Sequence, residues 1–178
     1  MTDMLDDLLT LNRMEARQTE VSWERVDVGQ LVRDGVDEIR LGDREAHAFD
    51  VAVTGPVASF ITDPTLLRHV LSNLLGNAVR YSPAGTKVTL RVSGTAERLV
   101  LIVEDQGVGI PASDRDRIFE PFERGSNVGA IKGSGLGLTI VKRMTELMGG
   151  TITIDPTATE GTRFLLSFPQ PDSLSTLA

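Results

Sequence analysis

His69, Asn73, Asn77 and Arg80 are separated by four, four and three residues, the spacing that puts side chains on one face of an α-helix. Leu67, Val70, Leu71, Leu74 and Ala78 fall on the apolar side of the same helix. An asparagine inside a helix costs up to about 0.7 kcal/mol relative to alanine, so two of them ask for an offsetting interaction. An amide oxygen joined by phosphate oxygens and water suits Mg²⁺. A guanidinium such as that of Arg80 suits the phosphates themselves. A solvated polar face is the plainer reading and stays open for this helix taken alone. His69 has no metal-ligand constellation around it.

Three further clusters carry chemistry of a matching kind. Asp105-Gln106-Gly107-Val108-Gly109-Ile110-Pro111 comes directly after an apolar strand. A carboxylate there can accept a hydrogen bond from the exocyclic amine of adenine, which guanine lacks at that position. Gly107 and Gly109 permit close backbone approach, although acidic glycine-rich turns are common. Next, Ile118-Phe119-Glu120-Pro121-Phe122 precedes Arg124 and a loop with glycines at 125, 129 and 133. The two phenylalanines read as an anchor and the loop as a lid, with Arg124 and Lys132 in reach of phosphates; an ordinary surface loop is the alternative. Finally, Gly133-Ser134-Gly135-Leu136-Gly137-Leu138 opens a helix, where free backbone N–H groups and the helix dipole favour an anion. Packing glycines would look the same. The spacing differs from the dinucleotide G-x-G-x-x-G and comes after a loop, and no Gly-Lys-Ser/Thr occurs anywhere.

Taken in order, SNLLGNAVRYSP, EDQGVGIP, IFEPFERG, GSGLGLTIVKRM and EGTRF resemble the ATP-binding domain of sensor histidine kinases, over roughly residues 28–169. The wider family also holds the Hsp90, MutL and gyrase B ATPases. The resemblance implies ATP and Mg²⁺, with Asn77 as the metal ligand, Asn73 and Arg80 at the phosphate end and Tyr81 against the nucleoside. It makes Asp105 the principal adenine contact, in a segment with Gly107, Gly109 and Ile110. Arg124 and Lys132 become lid cations, and Gly133, Ser134, Gly135 and Gly137 the phosphate cradle. Leu136 and Leu138 are implied near base and ribose, and Thr162 is the remaining contact near adenine.

Kinases of this kind phosphorylate their own histidine, on an upstream helical hairpin that dimerises in the intact protein. The two histidines here, His47 and His69, lack the His-Glu-x-x-Thr/Asn-Pro surroundings of that site. LLTLNRMEAR instead looks like the end of the hairpin's second helix. The expectation is a catalytic fragment without a phosphoacceptor, which passes the γ-phosphate to a hairpin supplied in trans, for relay to a response regulator receiver domain. Unaided autophosphorylation is not expected. Two other readings are kept: an anti-sigma-type serine kinase, and a nucleotide-gated protein-binding module without phosphotransfer.

Periodicity and caps locate the helices and strands that carry these residues. Met1, Met4, Leu8 and Leu11 make a heptad seam over residues 1–17, read as a remnant of the dimerisation helix. Residues 18–27 are a linker in which Trp23 packs. Asp27 and Gln30 form a capping pair for a helix to Arg40. Phe49–Thr54 alternates as a strand. Asp63 and Pro64 open a helix to Tyr81. Strands at 87–93 and 98–104, a helix at 136–148, and strands at 151–154 and 162–168 complete a catalytic domain over 28–169, leaving a tail at 170–178. The order predicts an α+β fold, a mixed sheet with helices on one face. The resemblance sharpens this to an α/β sandwich of Bergerat type, with a mostly antiparallel five-stranded sheet under about three helices.

Composition agrees with one soluble domain. Of 178 residues 40% are hydrophobic and 24% charged, enough for a core. The net charge of -7 speaks against nucleic acid, and the absence of cysteine rules out disulfides. Leu99 to Val103, the longest apolar run, is too short to span a bilayer. The acidic N-terminus is unlike a secretory leader. A cytoplasmic protein, or the cytoplasmic part of a membrane-anchored sensor, without membrane contact of its own, is expected.

Overall fold

The computed structural model describes residues 9, 20–43, 46–129, 131 and 133–171. The heptad seam at Met1, Met4, Leu8 and Leu11, Lys132, and the tail from 172 onward lie outside the described residues.

Period-two alternation sets the dry face of the sheet. In β4 (Lys87–Gly94), β5 (Arg98–Glu104) and β7 (Arg163–Pro169), the buried residues fall in shared rows. Leu90 sits opposite Val103, which sits opposite Phe164; Val92, Leu101 and Leu166 form the next row. Between them Arg91, Ile102, Glu104 and Leu165 point to the half-exposed far face. β2 (Ala48–Thr54) joins β4 in parallel at one edge, and β6 (Thr151–Ile154) joins β7 antiparallel at the other. The order is β2-β4-β5-β7-β6, so one pairing of four is parallel and the sheet is mixed and mostly antiparallel.

Three helices cover the dry face: α1 (Val28–Asp43), α2 (Pro64–Tyr81) and α3 (Gly137–Leu147). The apolar stripe of α2, including Leu67, Leu71, Leu74 and Ala78, packs into the same core as Ile140, Val141 and Met144 of α3. The polar stripe of α2 is thereby turned toward the start of α3, and this is what creates a site.

Asp63 fixes where α2 begins. It is only 4% exposed, and its Oδ1 accepts the N–H groups of Thr65 and Leu66, each at 2.9 Å. Its Oδ2 accepts the N–H of Ser22 at 2.8 Å, tying the incoming chain to the same cap. Asp63→Ala strands all three donors and is expected to cost about 2 kcal/mol, read as a lower urea midpoint. An unchanged midpoint would show that the cap is idle. At α1, Asp27 accepts the Gln30 N–H at 2.9 Å, but the Gln30 amide bonds Asp34 at 2.7 Å rather than returning. Only half of the expected capping pair forms.

Two short strands depart from expectation. β1 (Glu24–Val26) lies within the stretch read as linker, and it pairs antiparallel with β3 (Phe60–Thr62). Three residues are too few to alternate, and β3 is buried throughout. Trp23, beside β1, packs against the core as expected.

Candidate functional site

A cavity of about 750 Å³ opens between α2, the loop after β5, the lid and the N-terminus of α3. That volume lies within the range of small-molecule sites.

Asn73, Asn77, Arg80 and Tyr81 all line it. His69 is exposed and outside it; its carbonyl accepts the Asn73 amide N–H at 3.0 Å. That bond turns the Asn73 oxygen toward Gly137, where a Cβ would stand 2.9 Å from it. Among the described residues nothing bonds the Asn77 side chain, so its amide oxygen is available to the cavity.

At the opposite end, Asp105 is 6% exposed. Its Oδ1 accepts the N–H groups of Gly107 at 2.8 Å and Thr162 at 3.1 Å, while its own N–H reaches the Thr162 carbonyl at 2.9 Å. The β5–β7 register delivers Thr162 to this position. Burial pushes the carboxyl above the ordinary aspartate value, and the two backbone N–H groups oppose that shift. With Oδ1 spoken for, Oδ2 is left to meet a donor in the cavity. Gly109 and Ile110 line the wall beside it, with Ile39, Ile118 and Phe164 completing an apolar end.

Gly107 does not line the cavity. A Cβ there would lie 2.4 Å from the Tyr81 carbonyl, and the adjacent Val108 N–H bonds that carbonyl at 3.2 Å. Gly107 lets the base-end loop seat on the end of α2.

The two phenylalanines do different work. Phe119 packs edge-on against Phe164, centroids 6.5 Å apart, and is the anchor. Phe122 is 59% exposed and holds φ 66°, a conformation uncommon for a bulky residue. Its N–H bonds the Gly135 carbonyl at 3.0 Å, closing the neck of the lid. Gly135 has φ 74°, and any Cβ would fall 2.8 Å from the Phe122 backbone, so only glycine fits.

Arg124 lines the cavity, donates to the Ile131 carbonyl, and keeps a buried Nε without a hydrogen-bond partner. Gly133, Ser134, Gly137 and Leu138 line the same end with Gly135. Leu136 does not: it is wholly buried in the core, where it starts α3, and the expected contact with base or ribose is replaced by packing. Among the described residues no side chain caps α3, in contrast to Asp63 on α2. The Leu136 N–H is taken by Ser134 Oγ at 3.2 Å, whereas Gly137 and Leu138, both on the cavity wall, begin the helix without a side-chain cap, so their N–H groups and the helix dipole are left to the cavity.

Ser72, Gly76, Val108, Glu123, Gly125 and Val128 also line the cavity and were not foreseen. Gly76 carried a signal, because a mid-helix glycine costs about 1 kcal/mol relative to alanine; a Cβ there would meet nothing within 4 Å. The apolar wall residues carried none, since helix and strand periodicity read alike for core and pocket lining.

One end of the cavity thus offers an anchored carboxylate among apolar walls. The other offers a helix start without a side-chain cap, the guanidinium of Arg124 on the wall and the amide of Asn77. A purine base fits the first and a polyphosphate the second. No group of three His, Cys, Asp or Glu able to hold a metal occurs among the described residues. A divalent cation here would draw on Asn77, phosphate oxygens and water, a donor set that fits Mg²⁺.

Such a site on such a sheet defines a nucleotide-binding domain, and comparison with known proteins gives its family. A family model described as histidine kinase-, DNA gyrase B-, and HSP90-like ATPase matches residues 62–172, and the chain belongs to that family. Its full-length relatives place it with the ATP-binding catalytic domains of sensor histidine kinases. It is 36% identical over 167 residues to the sensor protein KdpD of Rathayibacter rathayi, covering 93% of this chain and 19% of that protein. The crystal structure of full-length ShkA in complex with AMPPNP superposes with a TM-score of 0.80 at 30% identity, covering 96% of this chain and 36% of that one. The mycobacterial sensor histidine kinase MprB gives a TM-score of 0.73 at 32% identity, covering 83% of this chain and 98% of that one. The chain spans about a fifth of the length of KdpD. No helix among the described residues is long and apolar enough to cross a membrane.

Proposed function

We propose that this domain binds ATP with Mg²⁺ in the cavity and presents the γ-phosphate to a histidine on a dimerising helical hairpin, for relay to a response regulator receiver domain. The observation that carries the reading is the pairing of Asp105 at one end of a single cavity with the uncapped start of α3 at the other. In this reading Oδ2 of Asp105 accepts from the adenine amine, and the backbone N–H groups of Gly137 and Leu138 meet phosphate oxygens. Arg80 and Arg124 balance phosphate charge, and Tyr81 flanks the nucleoside. Mg²⁺, when bound at Asn77, neutralises charge shared between phosphate oxygens. Little covalent chemistry is asked of the protein, because in-line phosphoryl transfer rests mainly on positioning and charge stabilisation.

The chain read as 28–169 supplies the nucleotide site, and residues 1–17 the end of the hairpin. Incubation with labelled ATP and Mg²⁺ is expected to leave the domain itself unlabelled and to label an added hairpin carrying the phosphoacceptor histidine. Label on the domain alone would overturn the division of labour; tight nucleotide binding with no label on any offered hairpin would favour a nucleotide-gated binding module.

A further inference from the structure

The first half of the lid is riveted to the loop that holds the base end of the cavity. Asp114 is 7% exposed, and its Oδ2 accepts the Ser126 N–H at 2.7 Å, while its Oδ1 accepts the Ser113 hydroxyl at 3.0 Å. One residue on, the Asn127 amide donates to two carbonyls at once, Val108 at 2.9 Å and Gly109 at 3.1 Å. Both fastenings run from Ser126 and Asn127 back to the segment that comes after Asp105. Gly125 and Val128 on the lid side, and Val108 and Gly109 on the loop side, all line the cavity.

The cavity keeps its volume of about 750 Å³ with these bonds in place, so a ligand of nucleotide size has no need to break them. The neck bond between Phe122 and Gly135 closes the lid at its root, and the two rivets fix the stretch of lid just beyond Arg124. We propose that Asp114 and Asn127 are positioning residues that make Ser126–Val128 a fixed wall of the base subsite, holding Val108 and Gly109 where the purine is read. Neither touches the phosphate end. Their effect is confined to the base, acting through the Val108–Gly109 backbone, and it sets discrimination between purines together with Asp105. The Ser126 N–H, first among the causes, holds the Asp114 carboxyl below the ordinary aspartate range, which agrees with a carboxylate that stays ionised and keeps its bond across the working pH range.

This inference rests on the nucleotide reading of the cavity, and the test separates the two. Calorimetric titration of the wild-type chain with ADP, GDP and inorganic tripolyphosphate, each with Mg²⁺, establishes the reference. Asn127→Ala is expected to weaken ADP about tenfold, to narrow the ADP-over-GDP ratio, and to leave tripolyphosphate within twofold. Asn127→Asp, which aims a carboxylate at two carbonyls, is expected to weaken ADP further. Asp114→Asn, whose amide can still accept from Ser126 through its oxygen, is expected to retain most of the affinity. Should wild type take up none of the three ligands, the nucleotide reading fails. Should wild type bind ADP and Asn127→Ala match it, or lose ADP and tripolyphosphate equally, the positioning role fails while the reading stands.

Discussion

Replacing Asn77 by alanine is expected to lower phosphoryl transfer to a supplied histidine hairpin by about 10²–10³-fold, while leaving the domain as stable as wild type or slightly more so. The two halves of that result have separate causes. Asn77 sits inside α2 on the cavity wall, and nothing among the described residues bonds its side chain. Alanine there gains up to about 0.7 kcal/mol of helix propensity. Against this, the substitution removes the amide oxygen proposed to hold Mg²⁺ together with phosphate oxygens and water. Transfer measured in a single turnover, with thermal unfolding of the same preparation, checks both halves. A variant that loses activity and stability together would show that Asn77 is a packing residue.

Asp105→Asn is expected to weaken adenine nucleotides by about 100-fold without unfolding the protein. The side chain has two oxygens with different duties. Oδ1 accepts from Gly107 and Thr162, which an asparagine oxygen can continue to do. The amide nitrogen must then face the cavity, where it opposes the adenine amine, donor against donor. Turning the amide over would set its N–H₂ against the two backbone N–H groups instead, so neither orientation serves both ends. The wild-type carboxyl also imposes a pH dependence. Because burial raises its folded pKa above the usual 3.8, ionised Asp105 costs stability, and that cost grows as pH rises through the folded value. With the ionised form of Asp105 meeting the adenine amine as proposed, affinity is expected to fall as pH drops through the raised folded value, and Asp105→Asn to remove that dependence. Titrations between about pH 4 and 7 check the sign. An affinity that climbs on acidification would contradict it.

Much of this site was legible because its residues are poor choices for anything else. Asparagines at 73 and 77 weaken a helix, and glycines from 133 to 137 weaken the start of another, so each points beyond its own element. Strong caps and alternation placed α2, β4, β5 and β6 to within a residue or two. What escaped was tertiary. β1 and β3 are too short for a period and exist through their pairing with each other. Leu136 reads like Leu138 in sequence, and only the direction in which α3 starts sends one into the core and the other to the cavity wall. The division between Phe119 and Phe122 depends on a single left-handed residue, and no spacing announces that. Asn127 looks like any loop asparagine until Val108 and Gly109 are brought beneath it by β5.

Every role proposed for these side chains depends on one placement, a single nucleotide with its base at Asp105 and its phosphates at the start of α3. Backbone amide NMR, recorded during titration with a non-hydrolysable ATP analogue and Mg²⁺, is the sharpest check on it. Saturable shifts are predicted at Asp105–Ile110 and Thr162, and separately at Gly133–Leu138, with adenosine moving the first group alone. Arg91, Ile102 and Leu165 on the far face of the sheet should stay still. Shifts confined to that far face, or no saturable shifts at either end of the cavity, would contradict the placement.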